Sequence, residues 1–186
     1  MIEEQKRERV YNGFLKIDKV TFQHQRYDGT TSEVLTREVV ERNDAITALL
    51  YHKEEDVYLF VEQVRIPTLL NGTGFLVECV AGLIDKGETG FDALKREVKE
   101  EVGYDIDNIQ HLSTFYSTPG GCSEKVELYY AELTNKLSNG GGLFSEGEDI
   151  KIVKYSFSKL KQLYFDKKID DAKTLIAVQW LLLNNN

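Results

Sequence analysis

Apolar positions recur at two spacings along this chain, and the change from one to the other marks out its elements. Residues 14–27 (FLKIDKVTFQHQRY) read as a strand, Asp28-Gly29 as a turn, and Glu33–Arg42 as the returning strand. Residues 1–43 therefore form a β extension with too little apolar content for a core of its own. It is expected to pack on the main domain, residues 44–186, on a second subunit, or on both. Ala45–Tyr51 and Val57–Arg65 follow as apolar strands around the polar turn Lys53–Asp56. Pro67–Gly74 is irregular, with a turn at Asn71-Gly72, and Phe75–Ala81 is one further strand. Leu112–Thr118, Lys125–Leu133 and Ile150–Phe157 complete the strands, while Ser158–Phe165 and Asp171–Leu183 read as helices, the last expected to be buried. Strands interrupted and followed by helices predict an α+β fold, a mixed sheet between helical layers.

The spacing becomes helical within Gly82–Tyr104 (GLIDKGETGFDALKREVKEEVGY). Thr89 and Asp92 form a start like a capping box, and Gly103 is a left-handed stop. Phe91, Leu94, Val98 and Val102 make one apolar stripe. Glu97, Glu100 and Glu101 stand at i, i+3 and i+4 and form a second, acidic stripe. Like charges at that spacing weaken an isolated helix, and a cation between them reverses the sign. Hard divalent ions take such oxygen ligands, and Mg²⁺ also binds substrate phosphates. A solvated acidic face is the plainer alternative.

A chain of 186 residues with 41% hydrophobic and 29% charged positions can bury a sizeable core. Its net charge of −8 disfavours sequence-independent binding to nucleic acid or to an anionic membrane. Leu175–Leu183 is too short to span a bilayer, and MIEEQKRERV lacks a signal peptide's apolar core, so a cytoplasmic location is expected. Cys79 and Cys122 have no metal or redox spacing; Cys79 reads as a buried thiol.

Gly82, Glu88 and the run Arg96-Glu97-Val98-Lys99-Glu100-Glu101-Val102-Gly103-Tyr104 resemble the Nudix box of the Nudix hydrolases, with Tyr104 where an aliphatic residue is usual. The resemblance extends from Phe14 to the final helix through REVVER (37–42), VEQVRI (61–66), ECVAG (78–82), TPGGCSE (118–124), EGEDI (146–150) and IDDAKTLIAVQWL (169–181). It is similar to the ADP-ribose pyrophosphatase branch, in which a proline lies downstream of the box; Pro119 stands sixteen residues past Gly103. The Asn71-Gly72 insertion and Lys173-Thr174 look more like the related GDP-mannose pyrophosphatases.

The resemblance implies a Nudix-type α/β/α sandwich and Mg²⁺-dependent (or Mn²⁺-dependent) hydrolysis of a small nucleoside diphosphate sugar by a homodimer. It implies metal ligands at Glu97, Glu101, Glu100, the Ala81 carbonyl and Glu148. Glu146 would be the general base, Arg96 would orient Glu97, and Glu88 would hold the loop or a water. Arg65 would contact the diphosphate. Arg37 and Phe14 from a partner chain would hold the nucleotide, and Thr118 and Glu124 would lie near the terminal sugar.

Each role has an ordinary counterpart. Arg65 can pair with a carboxylate at a strand end, Phe14 can fill a core or interface, and Glu146 and Glu148 can be solvated. Glu88 can be a cap or ion-pair partner. A non-catalytic nucleotide-sugar sensor is the rival of another class, and a basic nucleic-acid-binding surface is not expected.

Overall fold

The computed structural model describes residues 1–184 and, for Glu146, the backbone alone. Contacts divide the chain into two units, Met1–Asp44 with Tyr116–Lys125, and Ala45–Phe115 with Val126 onward.

The first unit is a three-stranded antiparallel sheet of β1 (Ile2–Asn12), β2 (Lys16–His24) and β3 (Leu35–Glu41) in that spatial order. β1 carries no alternating apolar pattern (IEEQKRERVYN), and every residue in it is exposed. Its ladder to β2, interrupted by register shifts at Glu4/Lys6 and Arg9/Tyr11, and the bonds of Arg7 (3.2 Å) and Arg9 to buried Asp18 hold it instead. Charge and bulges of this kind are how an edge strand avoids further pairing. The loop 116–125 joins the sheet through Val40, whose N–H donates to the Gly121 carbonyl (2.8 Å) and whose carbonyl accepts from Ser123 (3.0 Å).

In the second unit seven strands make a mixed sheet. β4 (Ala45–His52) and β5 (Val57–Val64) pair antiparallel, and β10 (Lys151–Tyr155) lies antiparallel outside β5. β9 (Lys125–Lys136) runs parallel to β4, with β8 (Tyr104–Tyr116) beyond it. The expected single strand over Phe75–Ala81 is two: β6 (Phe75–Glu78) pairs with β5, and β7 (Val80–Leu83) pairs with β4. The break falls at Cys79, whose N–H donates to Thr174 Oγ1 (2.8 Å) and so leaves the ladder.

Alternation sorts the sheet's side chains between two cores. Ile46, Ala48 and Leu50 of β4, with Leu59 and Val61 of β5, meet Leu94, Val98 and Val102 of α1 (Gly90–Glu101) and the residue after it. Leu49, Tyr58, Phe60 and Leu128 face the other way, onto Leu160 of α2 (Phe157–Phe165) and Ala177, Val178 and Leu181 of α3 (Ala172–Asn184). Helices on both faces of a mixed sheet are the α/β/α sandwich expected. Phe91 departs from its expected stripe: it is partly exposed, with Lys95 Nζ 4.4 Å from its ring centroid. Among the described residues no helix is long and apolar enough to cross a membrane.

α1 begins and ends as its sequence implies. Thr89 Oγ1 accepts from Asp92 N (3.2 Å) and donates to Asp92 Oδ2 (2.6 Å). Gly103 takes φ +78°, and its N–H reaches back to the Val98 carbonyl (3.0 Å). A Cβ there would lie 2.5 Å from the Ser138 carbonyl oxygen. Gly103→Ala thus combines a disfavoured backbone conformation with a backbone collision, and we expect a loss of about 1–3 kcal/mol in a denaturant melt. An unchanged midpoint would show that the Gly103 turn is not needed.

Candidate active site

The helix that carries the acidic stripe is rotated by its own core contacts. With Leu94, Val98 and Val102 fully buried beneath the sheet's β4–β5 face, Glu97 and Glu101 are carried to the edge of that core. Glu101 is 2% exposed, and among the described residues its Oε2 has no hydrogen-bond partner. Burial pushes its carboxyl up to about 9, and the charges of Glu97, Glu148 and Glu78 add to the shift while Arg65 opposes it. Glu97 is pushed up to about 7, because burial outweighs its bond to Arg96. Its carboxylate lies against the backbone of Gly82, where a Cβ would fall 1.8 Å from Oε1; a glycine is required there.

Arg96 is the hub of the visible contacts. Its Nε and Nη2 donate to the two oxygens of Glu88 (3.0 and 2.9 Å), and Nη2 also donates to the Leu83 carbonyl (3.0 Å). Nη1 donates to Glu97 (2.7 Å) and, more weakly, to Glu100 (3.4 Å). Glu88 in turn accepts from Asp85 N (3.0 Å), so it ties the loop before α1 to the helix. The Arg96 and Asp85 bonds hold the Glu88 carboxyl below its ordinary range.

Glu148 approaches from the loop after the glycine run. Its Oε2 accepts from Leu143 N (2.8 Å), and Gly142, at φ +79°, leaves room for it. Glu146 ends the short 3₁₀ turn Phe144–Glu146, and its side chain lies outside the described residues. Ala81 sits in β7, paired with Thr47, at the mouth of the loop leading to α1.

Arg65 follows β5, and its Nε donates to Glu78 Oε1 (2.6 Å). The strand-end ion pair is thus observed. Glu78 itself, 1% exposed, was not among the expected site residues. The signal for it was a lone acid inside the apolar run FLVECVAG. Its second oxygen accepts from Lys173 Nζ (3.1 Å), which also bonds Asp171 (2.7 Å).

Phe14, Arg37, Thr118 and Glu124 belong to the first unit. Phe14 is 93% exposed, so it fills no core within the chain. Arg37 is exposed and donates to its neighbour's carbonyl at Thr36 (2.8 Å). The Thr118 carbonyl accepts from Gly121 and Cys122 in the turn, and Glu124 pairs with Arg42 (3.3 Å). Cys79 is a buried free thiol, pushed up to about 12 by burial, and Cys122 is also free.

A model of the NUDIX domain matches residues 41–178. The chain belongs to the NUDIX family. It is similar to the ADP-ribose pyrophosphatase of Haemophilus influenzae, 33% identical over 94% of this chain and 83% of that protein. It is similar to that of Escherichia coli, 34% identical over 96% and 87%. The GDP-mannose pyrophosphatase of Yersinia pestis is 33% identical over 93% of this chain and 87% of its own. The fold is that of a solved structure described as an ADP compounds hydrolase, at TM-score 0.74 and 19% identity over 99% of this chain and 96% of that one. The family and sandwich architecture expected from the sequence are therefore met in this NUDIX chain, and with them the reaction class, a Nudix hydrolase.

The donor set fits a hard divalent cation: carboxylates, a nearby backbone carbonyl and a buried carboxylate oxygen without a partner. Among the described residues no three acidic, imidazole or thiol side chains meet closely enough to hold an ion as they stand. Arg96 holds one oxygen each of Glu97 and Glu100, and Leu143 N holds one of Glu148, so ligation calls for these carboxylates to converge through their remaining oxygens.

The pH dependence follows from the raised carboxyls. Glu101 and Glu97 favour their neutral forms in the folded chain, so their stabilisation is complete below the ordinary value of 4.5 and is lost as pH rises through about 7 and about 9. Without divalent cations the thermal midpoint is expected to fall from pH 5 to pH 9, and Glu101→Gln to flatten that slope. An identical slope in the variant would remove Glu101 as its source.

Proposed function

We propose that this NUDIX chain hydrolyses the pyrophosphate bond of a nucleoside diphosphate sugar, with ADP-ribose, cleaved to AMP and ribose 5-phosphate, as the preferred substrate. The observation that carries the reading is the buried Glu101 oxygen, unpartnered among the described residues, with Glu97 and Glu148 among the charges acting on it. Such a carboxylate is costly in an apo chain and becomes favourable once a cation is bound.

Glu97, Glu101, Glu100, Glu148 and the Ala81 carbonyl are the proposed ligands of Mg²⁺, or Mn²⁺ in its place. When bound, the ion offsets diphosphate charge and lowers the pKa of a bound water. The protein groups supply the rest. Arg96 orients Glu97 through its 2.7 Å bond, and Glu88 fixes Arg96 and the Asp85 turn. Glu146 takes the proton of the attacking water as general base, from the same loop that presents Glu148. Arg65 presents guanidinium charge to the diphosphate as the leaving phosphate gains charge.

Residues 1–43 are proposed as a dimerisation and substrate-recognition extension, with Phe14 stacking on the base and Arg37 contacting the nucleotide from the partner chain. Thr118 and Glu124 are proposed near the terminal sugar. The exposed Phe14 ring supports this role, since it has no packing partner in its own chain's core. GDP-mannose is the second reading, supported by the relative of that name at 33% identity.

Product analysis with ADP-ribose and GDP-mannose side by side tests the proposal. We expect AMP and ribose 5-phosphate in Mg²⁺ and none in excess chelator. Glu101→Gln and Glu146→Gln should each lower kcat by roughly two orders of magnitude or more while the chain stays folded. Faster release of GMP and mannose 1-phosphate would reverse the substrate order, and binding without products would leave only a sensor. Sedimentation at micromolar concentration should give a dimer; a monomer would remove the partner-chain roles of Phe14 and Arg37.

A further inference from the structure

Glu78 is an acid buried at the end of β6, opposite Val61 of β5, and its charge is compensated on both oxygens. Arg65 Nε donates to one at 2.6 Å and Lys173 Nζ to the other at 3.1 Å. Lys173 is held in place by Asp171 Oδ1 (2.7 Å). Asp171 Oδ2 accepts from both the N–H (2.9 Å) and the hydroxyl (2.7 Å) of Thr174, and that hydroxyl accepts from Cys79 N. Two acids and two bases thus form a closed chain from β5 through the β6–β7 break to the start of α3. A buried carboxylate so compensated is rigid, because every displacement uncovers a charge.

The geometry of Arg65 shows what this rigidity serves. Glu78 takes only the Nε edge of the guanidinium, and the Nη1 and Nη2 atoms make no hydrogen bond among the described residues. The side chain is 41% exposed, so it is accessible to an anion. A planar guanidinium held along one edge has its remaining donors aimed in a fixed direction, which suits two oxygens of a phosphate.

We propose that Glu78 is a positioning residue for the reaction: it holds Arg65 by Nε so that the Nη1–Nη2 edge is aimed at the diphosphate before substrate arrives, with Lys173 and Asp171 anchoring Glu78 from behind. This inference rests on the diphosphate role proposed for Arg65. It adds that the direction of Arg65, and not only its charge, is built into the fold. Preorganised donors of this sort act without reorganising during the reaction.

A double-mutant cycle on the full chain, with ADP-ribose and Mg²⁺, tests it. Glu78→Gln keeps the shape but removes the charge, and Glu78→Asp keeps the charge but withdraws it from Nε by one methylene. Both are expected to lower kcat/KM by roughly ten- to a hundredfold. In an Arg65→Ala background the same changes should cost little more, because the group they direct is gone. Thermal melts of each variant separate folding loss from activity loss, and Glu78→Asp serves should Glu78→Gln fail to fold. Equal losses from Glu78→Asp with and without Arg65 would overturn the positioning role while leaving Arg65 as a diphosphate contact. Full activity of Arg65→Ala alone would overturn that contact and this inference together. Wild-type kcat/KM in both Glu78 variants would overturn the positioning role alone.

Discussion

A buried carboxylate oxygen left without a hydrogen-bond partner among the described residues is the constraint around which this site is built. Glu101 is carried inward because α1 is anchored by Leu94 and Val98, with Val102 just beyond, each packed in the core. Burying such aliphatic side chains contributes about 1.5–3 kcal/mol apiece, far more than the few tenths by which like charges one turn apart disfavour an exposed helix. The hydrophobic face therefore dictates where the acidic face goes. Once there, Glu101 has Glu97, Glu148 and Glu78 as sources of like charge, and its raised carboxyl records their combined effect with burial.

Arg65 opposes that shift directly, and Arg96 does the same for Glu97. Arg96 collects Glu88, Glu97 and Glu100 on one guanidinium, which spreads their charge and pins the loop to the helix. Glu97 and Glu100, which it holds by one oxygen each, are also candidate ligands, so the same bonds that spread their charge leave an oxygen of each for a cation. Arg65 lies among a second set, with Glu78, Lys173 and Asp171, in which positive and negative groups balance. The site thus combines an unbalanced half suited to a cation with a balanced half suited to hold one arginine still.

Much of this was legible before folding because it is local. Thr89, Asp92 and Gly103 bound α1 through contacts a few residues apart, and helical spacing puts Glu97 and Glu101 on one stripe in any context. What escaped detection depends on distant partners. The charged strand Ile2–Asn12 has no periodicity to betray it and exists through its ladder to β2. The break at Cys79 is caused by Thr174, 95 residues away. Phe91 carries the right spacing for the core and still stays partly exposed, because it sits in the first turn of α1, under Lys95.

By itself the sequence determined the family, the layered architecture, the acidic helix and its caps, since those follow from residue types at short fixed offsets. Which carboxylate is buried without a partner, which is neutralised, and which way Arg65 points were decided only by tertiary structure. Solvation and charge pairing depend on what lies within a few ångströms, and Glu78, Arg65 and Lys173 meet across 13 and 95 residues of chain.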